Sequence, residues 1–114
     1  MIANLQEAWR SKWIAVDTET NAKDPRWDPE FQCMGIAIAF RNELGVMCSE
    51  YYPFNHWVGN EDTSKKAEIQ RLIEGHPCII YHNAKYDLEV LLRMDIIPRG
   101  HFYDTMLMAH WLDE

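Results

Sequence analysis

The stretch 13–19, WIAVDTE, is an apolar and β-branched run that ends in two carboxylates. This composition predicts a strand that is buried on both faces. Because side chains alternate along a strand, Asp17 and Glu19 project from the same face, side by side. Two like charges at the end of a buried strand repel each other, and a divalent cation between them would relieve that repulsion. The alternative is that the strand ends at Asp17 and that both carboxylates are solvated.

The rest of the chain predicts a series of strands followed by alternating helices and strands. The predicted strands cover 31–40, 44–52, 78–82 and 102–103, and the predicted helices run from an N-cap at 62, 63 or 64 to 75, from 84 to about 95, and over 105–114. The first three strands predict an antiparallel meander. The order β-β-β-α-β-α-β-α predicts an α/β, ribonuclease H-like mixed sheet with helices on both faces.

Length and composition predict one domain over residues 1–114. With 114 residues and 47% hydrophobic side chains, the chain has enough apolar surface for a core. The formal net charge of −7 argues against a protein that coats nucleic acid through a broad basic face, but it allows one that grips a few nucleotides through metal ions. The sequence shows neither a membrane span nor a signal peptide, so we expect an intracellular protein with three reduced thiols.

A second polar cluster, YHNAKYD at 81–87, lies where a strand runs directly into a helix. Asn83 and Asp87 begin the helical face that continues with apolar side chains at 90, 91 and 94. Helix capping and the helix dipole are one explanation for both residues. Since parallel strands end along one edge of a sheet, Asp17, Glu19 and Asp87 are expected to meet there. Three oxygen ligands favour Mg²⁺ or Mn²⁺ and suit two-metal phosphoryl chemistry.

Four segments together resemble the 3′-5′ exonuclease domains of family A (polymerase I-like) DNA polymerases, within the DnaQ-like DEDD nucleases. They are VDTET at 16–20, YYPFNH at 51–56, HNAKYDL at 82–88 and YDTMLMA at 103–109. The segments lie in the family's order and extend over nearly the whole chain. D-x-E alone is a weak signal, whereas the full series is specific.

The resemblance implies hydrolysis of the terminal phosphodiester at the 3′ end of single-stranded DNA, of the proofreading type, with two Mg²⁺ or Mn²⁺ ions. It implies that Asp17 bridges both metals, that Glu19 binds the ion that activates water, and that Asp87 helps to hold the ion facing the leaving 3′ oxygen. It also implies that Asn83 supports the terminal nucleotide or orients its neighbours, and that Thr20 contributes near that nucleotide through its backbone. The implied location is the cytoplasm of a bacterial or phage-infected cell.

The chain departs from the family pattern at its third motif, Tyr-x-x-x-Asp or His-x-x-x-Asp, which supplies a fourth carboxylate. The 114 residues contain no such motif, and the family pattern continues beyond Glu114. Two alternatives follow from this departure and from the fold. The chain would be a non-catalytic or split fragment that needs a polymerase domain or a second chain, or it would be a ribonuclease D-like exoribonuclease.

Several other residues allow two interpretations. Asp104 is expected to cap a helix rather than to act in catalysis. His82 is expected to be partly buried and hydrogen-bonded, with substrate contact as the alternative. Trp27 is expected to be a packed surface aromatic, with base stacking as the alternative. A final apolar stripe is expected to pack in a core, with part of it exposed in this chain; it comprises Tyr103, Met106, Leu107, His110 and Trp111.

Overall fold

Residues 2–108 are described by the computed structural model, and they form a five-stranded mixed sheet with helices against it. The elements in chain order are α1 (Leu5–Arg10), β1 (Ile14–Thr20), β2 (Cys33–Arg41), β3 (Met47–Pro53), α2 (Thr63–Gly75), β4 (Cys78–Tyr81), α3 (Ala84–Arg93) and β5 (His101–Asp104). Residues 105–108 continue from β5 as a turn of helix. The order of the predicted strands and helices is confirmed as far as residue 108.

The carboxylate-bearing strand β1 lies at the centre of the sheet, whose strand order is β3-β2-β1-β4-β5. It is antiparallel to β2, which is antiparallel to β3, so the predicted meander is confirmed. On its other side β1 is parallel to β4, and β4 is parallel to β5. The strands β1, β4 and β5 therefore end at the same edge of the sheet.

Both crossover helices lie on one face of this sheet. The connections β3-α2-β4 and β4-α3-β5 step in the same direction across the strands, and right-handed crossovers then place α2 and α3 on the same side. On that side Ile14 and Val16 of β1 are buried, whereas Ala15 on the opposite face is only half-buried. The sequence predicts helices on both faces. Among the described residues, α2 and α3 share one face. The predicted helix over 105–114 is described only as far as residue 108.

Local sequence explains where the longest helix begins and ends. Asp62 is the N-cap of α2, and its side chain accepts a hydrogen bond from the backbone N–H of Lys65 at 2.8 Å. The helix ends at Gly75, as the sequence predicts, and the ring of Trp9 in α1 occupies the space that a Cβ at Gly75 would need. The short helix α1 is not predicted by the sequence. It packs on α2 through this contact.

The core lies between the sheet and the helices. Its largest fully buried side chains are Ile14, Ile36, Ile38, Phe40, Ile69, Leu72, Ile73, Ile79, Tyr81 and Leu91. The three cysteines are free thiols, as predicted, with Cys33 and Cys48 buried and Cys78 half-buried. No helix among the described residues is long and apolar enough to cross a lipid bilayer.

Candidate active site

The two carboxylates of β1 lie on the face of the sheet that α2 and α3 leave open. Asp17 and Glu19 are both exposed, and their partners across the β1–β2 ladder are Ala37 and Gly35. The small side chain of Ala37 leaves room beside Asp17, whereas the ring of Tyr51 fills the space over Gly35 beside Glu19. A cleft of about 580 Å³ extends over this face, lined in part by Ala15, Asp17, Ala37, Ser49, Tyr51 and His82. The alternation predicted for Asp17 and Glu19 is thus observed.

Asp87 lies on the other side of β1, in the first turn of α3, and is only 3% exposed. The hydroxyl of Thr18 donates a hydrogen bond to its Oδ1 at 2.6 Å, and the backbone N–H of Thr18 donates to the same oxygen at 3.4 Å. Burial raises the pKa of Asp87, the two hydrogen bonds from Thr18 oppose that rise, and the charges of Asp17 and Asp104 add to it. Asp17 is therefore close enough to Asp87 to influence its ionisation.

A second hydrogen bond fastens the same turn of α3 to β1. The hydroxyl groups of Thr20 and Tyr86 are 2.6 Å apart. Asn83 is the N-cap of α3, and its side chain accepts a bond from the backbone N–H of Tyr86 at 3.4 Å. The capping interpretation of Asn83 is thus confirmed, while the roles of Asn83 and Thr20 toward a nucleotide remain predictions.

Asp104 joins the end of β5 to two helix starts. One carboxylate oxygen accepts a hydrogen bond from the backbone N–H of Ala84, at the start of α3, at 3.0 Å. The other oxygen accepts bonds from the backbone N–H groups of Met106 and Leu107 at 3.0 and 3.4 Å. The predicted capping role is confirmed, and the same carboxylate also fixes α3, which the sequence did not predict.

The aromatic and histidine candidates are more exposed than the sequence suggests. His82 is hydrogen-bonded through Nδ1 to the hydroxyl of Thr105 at 2.8 Å, as expected, but it is exposed rather than partly buried. Trp27 is 71% exposed, so its interpretation as a packed surface aromatic was wrong. Trp57, in the loop after β3, is 99% exposed and was not singled out. Its signal would have been a tryptophan in a loop of mostly polar residues and glycine, outside any apolar run.

The terminal apolar stripe is exposed as far as it is described. Tyr103, Met106 and Leu107 have 55%, 49% and 55% of their surface accessible. They do not pack in a core, and the exposure expected for part of the stripe is observed. His110 and Trp111 lie outside the described residues. The exposed side chains lie in β5 and in the turn of helix after it, at the same edge of the sheet as the carboxylates.

Tyr51 and His56 complete the surroundings of Glu19. The ring and hydroxyl of Tyr51 lie over Gly35, the ladder partner of Glu19, and the hydroxyl is 2.6 Å from Nε2 of His56. The sequence brought these residues to attention only as part of the segment YYPFNH. Their pairing depends on the register of β2 and β3 and on the fold of the loop after β3, so no local pattern could reveal it.

The comparisons with known proteins agree with this architecture. The family model for the 3′-5′ exonuclease of family A DNA polymerases matches residues 1–114. The chain belongs to this exonuclease family. A curated relative, DNA polymerase I of Borreliella burgdorferi, is 31% identical over 112 residues; the match covers 96% of this chain and 12% of that polymerase. The exonuclease domain described here therefore spans about one eighth of the length of its relative.

Solved nuclease structures share the fold of this exonuclease domain. One, described as the apo form of the nuclease, has a TM-score of 0.66 and 16% identity, covering 96% of this chain and 48% of that one. Another, RNase D of Escherichia coli, an exoribonuclease involved in structured RNA processing, has a TM-score of 0.62 and 20% identity, covering 92% and 24%. The predicted ribonuclease H-like fold is confirmed.

Exonucleases of this family normally use divalent metal ions, and the carboxylates of this domain have the matching chemistry. Within residues 2–108, however, no three carboxylate, histidine or cysteine side chains lie close enough together to form a ready metal site. Asp17 and Glu19 share the open face, whereas Asp87 is held by Thr18 on the helix side of β1. The oxygen donors suit a hard cation, and their roles as metal ligands remain predictions.

Proposed function

We propose that this exonuclease domain removes nucleotides from the 3′ ends of single-stranded DNA and depends on two divalent cations, Mg²⁺ or Mn²⁺. The observation that carries the proposal is the family match over residues 1–114, combined with the position of the motif carboxylates at one edge of the sheet. The similarity to a DNA polymerase I suggests that this activity is of the proofreading type.

Asp17, Glu19 and Asp87 are the residues proposed to hold the ions. Bound there, the cations would lower the pKa of the attacking water and stabilise the charge on the leaving 3′ oxygen. Thr18 fixes the carboxylate of Asp87 through its two hydrogen bonds. Thr20 and Asn83, at the same edge, are proposed to contact the terminal nucleotide. The products are nucleoside monophosphates.

The surface of the domain supports a short single strand as substrate rather than a long duplex. With a net charge of −7, the domain has no excess of basic side chains that could bind a long row of phosphates. The exposed rings of Trp27 and Trp57 lie in loops that follow β1 and β3 at the carboxylate edge, where they are available to stack on unpaired bases. Stacking holds any base, as an exonuclease requires.

The test follows a 5′-labelled single-stranded DNA oligonucleotide in Mg²⁺ or Mn²⁺. We expect stepwise shortening from the 3′ end by the wild-type chain and loss of that shortening in Glu19→Gln. Glu43→Gln is the matched control, because Glu43 is an exposed carboxylate at the opposite end of the sheet, in the turn between β2 and β3. Equal cleavage by Glu19→Gln and Glu43→Gln would exclude the proposed site.

The fold similarity to RNase D makes RNA the competing substrate. The 2′-hydroxyl distinguishes the two polymers, so a pocket must either accept or refuse it. DNA and RNA oligonucleotides of the same sequence, offered together with different labels, measure this choice. Preferential loss of the RNA would replace the proposed substrate by the exoribonuclease alternative.

The non-catalytic or split alternative is favoured by one observation, the exposure of Tyr103, Met106 and Leu107 beside the cleft. A polymerase domain or a second chain would cover these side chains and supply the fourth carboxylate. That alternative predicts no cleavage by the pure chain. Cleavage that appears only after addition of a polypeptide containing a Tyr-x-x-x-Asp motif would establish it.

A further inference from the structure

A tyrosine and a histidine outside the proposed ligand set form a fixed pair beside Glu19. The Tyr51 hydroxyl and Nε2 of His56 are 2.6 Å apart, and the two rings meet edge to face with centroids 5.5 Å apart. The backbone N–H and C=O of His56 are both hydrogen-bonded to the side chain of Asn60. Its N–H donates to Oδ1 of Asn60, and its carbonyl accepts from Nδ2 of Asn60, each at 2.8 Å.

Gly35 provides the space through which Tyr51 reaches Glu19. Gly35 of β2 is the ladder partner of Glu19 of β1, and it lies between that residue and β3. A Cβ at position 35 would overlap the hydroxyl and ring of Tyr51. Only glycine therefore allows the tyrosine to cross β2 in this position.

The direction of the hydrogen bonds follows from the chemistry of the three groups. A phenol carries one proton and can donate one hydrogen bond. A carboxylate only accepts, so a hydrogen bond between Tyr51 and Glu19 uses the proton of the phenol. In that arrangement the Tyr51 oxygen accepts a hydrogen bond from Nε2–H of His56.

We propose that Tyr51, oriented by His56, is a positioning residue that fixes the carboxylate of Glu19 for metal binding. This inference rests on the proposed function, because it assumes that Glu19 is a ligand. A hydrogen bond to one oxygen of a ligating carboxylate restricts its rotation and presents the other oxygen in one orientation. Loss of such an outer partner typically weakens metal affinity by about 10- to 100-fold.

The experiment measures Mn²⁺ affinity of the full 114-residue chain from the electron paramagnetic resonance signal of free Mn²⁺. We expect Tyr51→Phe to raise the Kd for Mn²⁺ at least about 10-fold. Tyr52→Phe is the matched control, since the neighbouring Tyr52 hydroxyl is buried and has no hydrogen-bond partner within the described part of the chain. Thermal unfolding without metal shows whether each variant is folded.

A double variant separates positioning from a general structural effect. If Tyr51 acts through Glu19, then adding Tyr51→Phe to Glu19→Gln causes no further loss of Mn²⁺ affinity. An equal loss in both backgrounds, or a Tyr51→Phe affinity equal to that of Tyr52→Phe, would overturn the inference while Glu19→Gln still supports the proposed site. If wild type, Asp17→Asn and Glu19→Gln all bind Mn²⁺ equally, the proposed metal site fails, and the inference fails with it.

Discussion

The hydrogen bond between Thr18 and Asp87 is expected to make a large contribution to stability for a single hydroxyl. It is 2.6 Å long, its acceptor is a carboxylate that is 3% exposed, and the backbone N–H at 3.4 Å is too long to replace it. A hydrogen bond to a charged group contributes about 1.5–3 kcal/mol, compared with roughly 0.5–1.5 for a neutral pair. Thr18→Val keeps the shape and the β-branching of the side chain but removes the donor. We therefore expect it to lower the free energy of unfolding by about 2 kcal/mol.

Thr20→Val is the matched control on the same strand and the same face. Its hydroxyl is also 2.6 Å from a partner, the neutral hydroxyl of Tyr86, and it accepts a longer bond from the backbone N–H of Ala22 at 3.3 Å. We expect a loss of about 1 kcal/mol or less for this variant. The two substitutions are chemically identical, so the difference between them reports the charge of Asp87.

Urea unfolding at pH 7, followed by tryptophan fluorescence, measures both losses. With a slope of roughly 1–1.5 kcal/mol per molar urea, a loss of 2 kcal/mol lowers the midpoint by about 1.5 M. In an Asp87→Asn background the acceptor is neutral, and the effect of Thr18→Val should shrink to about 1 kcal/mol. Equal midpoint shifts for Thr18→Val and Thr20→Val, or a Thr18 effect that is unchanged in the Asp87→Asn background, would contradict a contribution from the charge of Asp87.

Three further predictions concern the scaffold. Asp62→Ala removes the N-cap of α2 and should lower stability by about 1 kcal/mol in the same urea assay, whereas Asp62→Asn should not. Gly100→Ala should lower the thermal midpoint by several degrees, because its Cβ would overlap the backbone carbonyl of His76; an unchanged midpoint would contradict this close approach. Burial raises the thiol pKa of Cys33 to about 11, so iodoacetamide at pH 8 should label Cys78 before Cys33, as peptide mass spectrometry will show.

The sequence was sufficient for the fold where local signals and sheet geometry agree. The apolar run before Asp17 predicts the central strand, and β1 begins and ends within one residue of that prediction. Capping at Asp62 and the stop at Gly75 define α2 because both signals are local. In contrast, α1 has six residues and buries only Leu5 and Ala8, so it shows no stripe that could be recognised. Its packing on α2 is a tertiary contact.

The candidate site was predictable only as a set of residues. Motif spacing points to Asp17, Glu19 and Asp87, but it does not reveal that Thr18 holds Asp87, because these residues are 69 positions apart. The same holds for Tyr51 beside Glu19, which depends on the register of three strands. The candidate metal ligands can be recognised from the local sequence, whereas the side chains that lie against them are determined by how the strands and helices assemble.

The register of β1 therefore determines the site as much as the motif does. Val16 faces the core, and Thr18 on the same side binds Asp87. Asp17 lines the open cleft, and Glu19 is exposed on the same face. A slip of one residue would bury the two carboxylates and expose the side chains that hold the core. Because burying an unpaired charge is far more costly than losing one hydrogen bond, the alternation that makes β1 a stable central strand also prevents the carboxylates from leaving the open face. Core packing at Val16 and the position of the candidate ligands are thus coupled, and a substitution that loosened the core there would displace both carboxylates.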